Sequence, residues 1–273
     1  MKRFNHILLM AAALCVSCGP KVPHGVVLDT RCRITPVKYQ GETSLCWAYA
    51  MLAAVETEMF LRGDSVNLPI APTMRALAAE HRDSVKQRGM GQTLLNLASR
   101  HHIYEEVCRP DDYVALCGDP GKPFGQWVKL DSPDNWEGNH QFNLPPDTLL
   151  ALVERAAASR RGICWEGDIS ERGFSYMKGI ADVVPLMGRT TDDHCMAVVG
   201  LAHDSKGRRY FVMKNSWGTT NPHGGLMLMS FDYFKAKTLV VILPRDIVAE
   251  WYELFEKVAY STLMSSTVKT RAA

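Results

Sequence analysis

Apolar positions in the first half of the chain recur at three- and four-residue intervals, whereas in the second half they gather into short alternating runs. From Cys46 onward, Trp47, Ala50, Met51, Ala54, Val55 and Leu61 follow a helical repeat, and Gly63 supplies a stop, so the pattern predicts a helix over Cys46 to Leu61. Two more helices are expected, from Thr73 to about Arg88 and from Gln92 to about His101, with Gly89-Met90-Gly91 between them. Asp147 is placed to cap a further helix reaching about Arg160, with Gly162 beyond it. The texture then changes. Gly162 to Asp168, Cys195 to Leu201, Tyr210 to Lys214, Leu226 to Met229 and Leu239 to Leu243 read as strands, separated by turns such as Ser205-Lys206-Gly207 and Pro222-His223-Gly224. Residues 21–39 read as an extended lead-in, residues 108–145 as loop with short strands, and residues 246–260 as a last amphipathic helix. Helices first and antiparallel strands second predict an α+β fold, with a helical lobe over roughly 40–145, a β lobe over roughly 146–245, and a cleft between them.

Composition narrows the function classes more than the fold. The 273 residues are 47% hydrophobic and carry a formal net charge of +2, enough chain for one large domain or two packed lobes. A charge so close to balance, without an aromatic-basic stripe, argues against nucleic acid as a partner. No Gly-rich phosphate loop and no HExxH pattern is present, so the sequence calls for no cofactor and no metal. His101-His102 lies at a helix end and reads as solvated rather than ligating, and Glu166 and Asp168 read as hydrogen-bonding groups of the fold.

The first eighteen residues read as a targeting segment and fall outside the folded domain, which would span 19–273. Lys2 and Arg3 give a positive start, and Ile7 to Val16 form an apolar run too short to span a bilayer as a stable helix. The run ends in Leu14-Cys15-Val16-Ser17-Cys18-Gly19, which resembles the lipobox of a bacterial lipoprotein and would make Cys18 the lipidated residue and a membrane anchor. An ordinary secretory signal is the alternative; either reading exports the protein, the first to a bacterial cell envelope facing the periplasm. Eight cysteines in an exported chain raise the question of disulfides. Setting aside Cys15, Cys18 and Cys46 leaves Cys32, Cys108, Cys117, Cys164 and Cys195, an odd number whose pairing the sequence leaves open.

The candidate chemistry sits in three places. In Gln40-Gly41-Glu42-Thr43-Ser44-Leu45-Cys46-Trp47, a thiol stands where a loop becomes a helix, and the partial positive charge of a helix start favours thiolate. Gln40 is placed to donate an amide hydrogen bond to an oxyanion, with the Cys46 N–H as second donor. His194, in Asp192-Asp193-His194-Cys195-Met196, opens an apolar strand and can act as the base of Cys46. Asn215, in Lys214-Asn215-Ser216-Trp217-Gly218, follows the next strand and can hold the imidazole, with Trp217 shielding that bond from water. Each element alone would suit a structural residue, but their joint order and spacing do not. Cys195, beside the base, reads as a bystander or a redox liability.

These motifs resemble the three signatures of papain-like cysteine peptidases, in that family's order. Pro36-Val37, Met90-Gly91-Gln92, Met196 and Cys164-Trp165-Glu166-Gly167-Asp168-Ile169-Ser170 are similar to the bleomycin hydrolase and bacterial aminopeptidase C branch. The resemblance implies a two-lobed papain-like fold and catalytic roles for Cys46, His194, Asn215 and Gln40. It also implies substrate contacts at Gly91, in the wall that pairs with the substrate backbone, and at Trp217. By resemblance the expected activity is hydrolysis of short peptides from the N-terminus through a Cys46 thioester. An open-cleft endopeptidase is the alternative, and a peptide- or protein-binding lipoprotein on a retired scaffold is the reading from another class. Oligomeric state is left open.

Overall fold

A computed structural model describes residues 20, 22–64, 66–104, 118–119, 122–123, 127–132, 144–169, 172–182 and 193–253. Cys15, Cys18, Cys108 and Cys117 lie outside the described residues, as do the expectations attached to them.

The helix predicted at the nucleophile is α1, Cys46–Leu61, and it is buried on nearly every face, from Trp47 through Met59. An apolar stripe on one side would have left it at the surface; apolar residues all round make it a central helix. Helix α2, Ala71–Ala79, is shorter than the sequence suggested. The helix stops because His81 turns left-handed (φ 56°) and Asp83 offers its carboxylate to the amides of Val85 and Lys86, both at 2.8 Å. A short acidic side chain that captures nearby backbone amides competes with helix continuation. Helix α3, Gly91–His101, matches its expectation. Helix α4, Pro146–Ala158, begins on proline, and Asp147 lies in its first turn rather than at its cap. Residues 245–253 are helical, while the rest of the expected terminal helix lies outside the described residues.

The strands form one nine-stranded, mostly antiparallel sheet. Its order begins with β4 (Trp127–Asp131), β11 (Thr238–Pro244), β5 (Ile163–Asp168) and β8 (Asp193–His203). It continues with β9 (Arg209–Lys214), β10 (Leu226–Ser230), β7 (Ile180–Ala181) and β6 (Phe174–Ser175). The long β8 pairs with β5 along residues 193–198 and with β1 (Val27–Arg31) along residues 200–203. Thus β1 and β4, from segments read as lead-in and as part of the helical lobe, both join the sheet. A short pair, β2 (Gly118–Asp119) and β3 (Lys122–Pro123), stands apart, and α5, Phe231–Lys237, links β10 to β11.

Alternation along the strands divides the core. Cys164, Cys195, Val240 and Ile242 face α1 and α3, while Ile163, Trp165, Met196, Val241 and Leu243 face α4 and α5. Gly162 lets α1 approach, since a Cβ there would collide with the Ala54 carbonyl oxygen. Two buried charge groups tie the layers. Glu58 of α1 accepts from Arg161 at 2.9–3.2 Å and from the Gly162 amide at 2.6 Å. Glu56, two residues earlier and on the other side of the helix, accepts from Thr35 Oγ1 (2.6 Å), Lys38 Nζ (2.7 Å) and the Leu68 amide (2.7 Å), with Lys214 Nζ at 3.7 Å.

Candidate active site

Cys46 occupies the first position of α1, half-buried, at the floor of a cleft of about 200 Å³. The loop leading to it turns at Gly41, whose φ of 62° suits glycine, and is closed by Thr43, whose hydroxyl donates to the Gln40 carbonyl at 2.8 Å. The Leu45 carbonyl accepts from Ala48 and Tyr49, so the helix is wound up to Cys46, and the amides of its first turn have no carbonyl ahead of them in the helix.

His194 and Asn215 meet because β8 and β9 are antiparallel neighbours. Ala197 pairs with Lys214, and continuing that register past the end of β9 sets Asn215 and Trp217 beside the start of β8. The Asn215 amide is oriented by its surroundings: Oδ1 accepts from the Ser216 amide at 2.7 Å, and Nδ2 donates to Met227 Sδ at 3.3 Å. Oδ1 is therefore an acceptor, so the 2.9 Å contact with His194 Nε2 makes that nitrogen the N–H donor. The other ring nitrogen, Nδ1, is left for Cys46, and the His194 side chain is hydrogen-bonded to the Cys46 sulfur. Trp217 packs over the imidazole with ring centroids 4.5 Å apart, and Phe174 and Tyr176 meet its edges at 5.9 and 5.5 Å.

The thiol of Cys46 is pulled down from 9.0 to about 4. The largest cause is a hydrogen bond from the Cys195 side chain; burial opposes ionisation, and the hydrogen bond and charge of His194 favour it. The nucleophile is thus held as thiolate by two partners, one expected from the sequence and one not.

Gln40 is clamped to the segment that carries Asn215. Its amide nitrogen donates to the Ser216 carbonyl at 2.8 Å, and the Gly218 amide donates to the Lys38 carbonyl at 3.1 Å. Ser216 Oγ donates to Gln40 Oε1 at 2.6 Å, which fixes the side-chain amide with Nε2 as donor. One Nε2 hydrogen goes to the Thr43 carbonyl at 2.7 Å, and Gln40 lines the cleft beside Cys46. Ser216 went unassigned in the sequence reading, although it lies inside a motif singled out there.

Gly91 requires a correction. It begins α3 and is buried, and a Cβ on it would meet Cys164 Sγ at 2.9 Å, Ile242 at 3.0 Å and Met51 Sδ at 3.2 Å. Its need for a hydrogen side chain is a packing need, and it is not among the residues lining the cleft. The wall is made by Arg88 and Gly89 instead, with Ser44, Trp47, Ile169, Cys195 and Trp217 completing the lining. The segment before Gly89 is docked there by Trp47 Nε1 donating to the Gln87 carbonyl (2.9 Å) and by the Ser44 amide donating to Val85 (2.9 Å). The turn at Asp83, which the helical pattern concealed, leads the chain to Arg88 and Gly89 beside the nucleophile.

Among the described residues no group of His, Cys, Asp and Glu side chains could hold a metal ion. His101 Nε2 is 2.8 Å from Glu80 Oε1, which Arg100 also reaches at 2.7 Å, so this histidine belongs to a surface ion cluster. A wider groove of about 620 Å³ between α2 and residues 101–104 lies away from Cys46 and holds no nucleophile.

Comparison with known proteins agrees with the geometry. Residues 139–239 match the family model described as papain family cysteine protease. Cathepsin J of Rattus norvegicus is 25% identical over 246 residues, covering 85% of this chain and 68% of that protein. Cysteine endopeptidase Rep1 of Oryza sativa subsp. japonica is 28% identical over 214 residues, covering 77% and 54%, and procathepsin L of Felis catus is 26% identical over 216 residues, covering 78% and 62%. The matches thus take in between about half and two thirds of these relatives' own lengths. Residues 139–239 are thus similar to a papain family cysteine protease domain, and the relatives are cysteine proteases among the cathepsins and the plant enzymes.

Proposed function

We propose that the protein is an exported endopeptidase that cleaves peptide bonds through a thioester on Cys46. The observation that carries this reading is the thiolate at the start of α1, paired with His194 whose far nitrogen is held by Asn215. In the reaction, Cys46 attacks the substrate carbonyl, and the oxyanion receives the Cys46 amide and Gln40 Nε2. His194 gives its proton to the departing amine, then draws one from the water that releases the acyl group. The geometry expected of a retired binding scaffold, with the His194 ring far from Cys46, is not present.

The aminopeptidase form, suggested by resemblance to the bleomycin hydrolase branch, finds less support. Holding a substrate ammonium group calls for an anion, and among the described residues lining the cleft there is no carboxylate. One of the relatives, Rep1, is itself named an endopeptidase. Export and lipidation of Cys18 remain part of the proposal on the sequence of residues 1–18, and loss of lipid labelling in Cys18→Ser tests them.

The central test is labelling of the mature protein by a thiol-reactive epoxide, with mass mapping, followed by cleavage of internally quenched peptides. Selective modification of Cys46 and turnover of N-terminally blocked peptides are expected, both lost in Cys46→Ala. Cleavage confined to peptides with a free amino terminus would overturn the endopeptidase form, and activity surviving in Cys46→Ala would overturn the mechanism.

A further inference from the structure

Cys195 stands out because the chemistry proposed above does not require it. The residue after the base is a second thiol, and strand alternation turns it to the face opposite Met196, toward α1. There it packs against Cys46 and lines the same cleft. Its side chain is hydrogen-bonded to the Cys46 sulfur, while its own exposure is 3%. A buried cysteine commonly serves as a small apolar filler. This one directs its only donor at the nucleophile, so its S–H stabilises the thiolate by a charge-assisted bond. The other described thiols are placed differently. Cys32 lies in a separate part of the core, and Cys164 lies diagonally from Cys195 across the β5–β8 ladder, two residues off its paired position, Glu166. Diagonal neighbours are about 7–8 Å apart, beyond comfortable disulfide reach.

We propose that Cys195 is both the positioning donor that holds Cys46 as thiolate and the resolving thiol that captures Cys46 when a hydroperoxide oxidises it. The inference rests on Cys46 being the activated nucleophile. In the first step the Cys46 thiolate attacks the distal peroxide oxygen; the O–O bond breaks, the leaving oxygen takes a proton from the His194 imidazolium and departs as alcohol or water, and Cys46 keeps the O–H as sulfenic acid. In the second, the Cys195 sulfur attacks the sulfenyl sulfur; the S–O bond breaks, the Cys195 proton leaves with the hydroxyl as water, and a Cys46–Cys195 disulfide forms. Two thiols have lost two electrons, and the peroxide has gained them. The order of events is built into the site. The Cys195 thiol is held well above its ordinary range first by its hydrogen bond to Cys46, then by burial and by the charges of Glu166, Cys46 and Cys164. Oxidation of Cys46 removes the first of these causes, so Cys195 becomes a better nucleophile only after its partner has been oxidised. The disulfide stops peptidase activity and keeps Cys46 from irreversible oxidation to sulfinic acid.

The experiment treats the reduced full-length protein with hydrogen peroxide and reads residual activity, recovery with dithiothreitol, and the non-reduced peptide map. Wild type should lose activity, regain most of it on reduction, and yield a Cys46–Cys195 linked peptide. Cys195→Ser keeps a donor but cannot form the disulfide. It should retain the acid limb of the epoxide-labelling rate, yet fall irreversibly to sulfinic acid at Cys46. Cys195→Ala should lose both properties, with the acid limb moving up by about one pH unit. Recovery in Cys195→Ser equal to wild type, or a wild-type map showing sulfinic acid and no linked peptide, would overturn the resolving role. A linkage between Cys195 and Cys164 would overturn it too. An unmoved acid limb in Cys195→Ala would overturn the positioning role. The linked peptide is read in wild type without any variant or turnover, whereas failure of epoxide labelling at Cys46 would mark failure of the peptidase reading itself.

Discussion

Replacing Glu56 with alanine should destabilise the protein severely, although Glu56 is not among the residues lining the cleft. Glu56 lies mid-way along α1 with a side-chain exposure of 1%, and Lys214 beside it is exposed by 5%. The carboxylate satisfies the Leu68 amide and the Thr35 hydroxyl and balances Lys38 and Lys214, so its loss leaves a buried cation and an orphaned amide. Removing one partner of a buried pair costs about 3–5 kcal/mol, and an unsatisfied buried amide about 1–3 more. Part of this is relieved, because burial already holds the Lys214 ammonium down from 10.5 to about 8 and, without Glu56, it can shed its proton near neutral pH. A net loss of about 4 kcal/mol lowers the unfolding midpoint of a domain this size by roughly 8–16 °C. Calorimetry and urea unfolding at pH 7 read the effect. Because Lys214 directly precedes Asn215, the peptidase rate should fall as well. A midpoint within about 2 °C of wild type, equivalent to under roughly 1 kcal/mol, would refute the view that this network ties α1 to β9.

Other outcomes follow from the same structure. Asn215→Ala frees the His194 ring and should cut kcat by about 100-fold while leaving the fold intact, as measured by turnover and circular dichroism. The rate of thiol alkylation at Cys46 should hold its plateau far below the pH of an ordinary thiol, down toward about 4, and His194→Ala should move the fall to higher pH. Lys214 gives a stability trend of definite sign. Its pKa is about 8 folded against 10.5 unfolded, so the unfolded chain holds more protons between those values. The cost of burying the charge is therefore fully present below pH 8 and is relieved as pH rises to 10.5, and in Lys214→Met that rise should be missing from urea unfolding. Arg161→Ala breaks the double contact with Glu58 and Asp246 and should lower stability by about 3 kcal/mol in the same assay, with little effect on the cleft.

Much of the site was legible before the fold. A thiol at a helix start, a base opening an apolar strand, and an amide following the next strand are local patterns, and local periodicity fixes them: α1 and the strands β5, β8, β9, β10 and β11 all lie within a few residues of their sequence expectations. What periodicity could not carry is whatever depends on which segment lies beside which. The helical repeat ran on past Ala79, but the Asp83 side chain captures the backbone and ends it, and that turn sets Gly89 rather than Gly91 against the nucleophile. Gly91 was expected in the cleft wall by resemblance alone, and only the packing of Cys164, Ile242 and Met51 against it shows the close approach it makes here. Strand parity turns Cys195 inward on the same face as Cys164, but only the placement of α1 across that face puts the sulfur of Cys46 above it. The sequence by itself determined the chemical cast and the secondary elements, because both are written in side-chain type and short-range spacing. The tertiary structure alone decided how Cys46, Gln40 and Glu56 meet His194, Ser216 and Lys214, because contacts between segments so far apart in the chain depend on strand order and helix placement that no local pattern encodes.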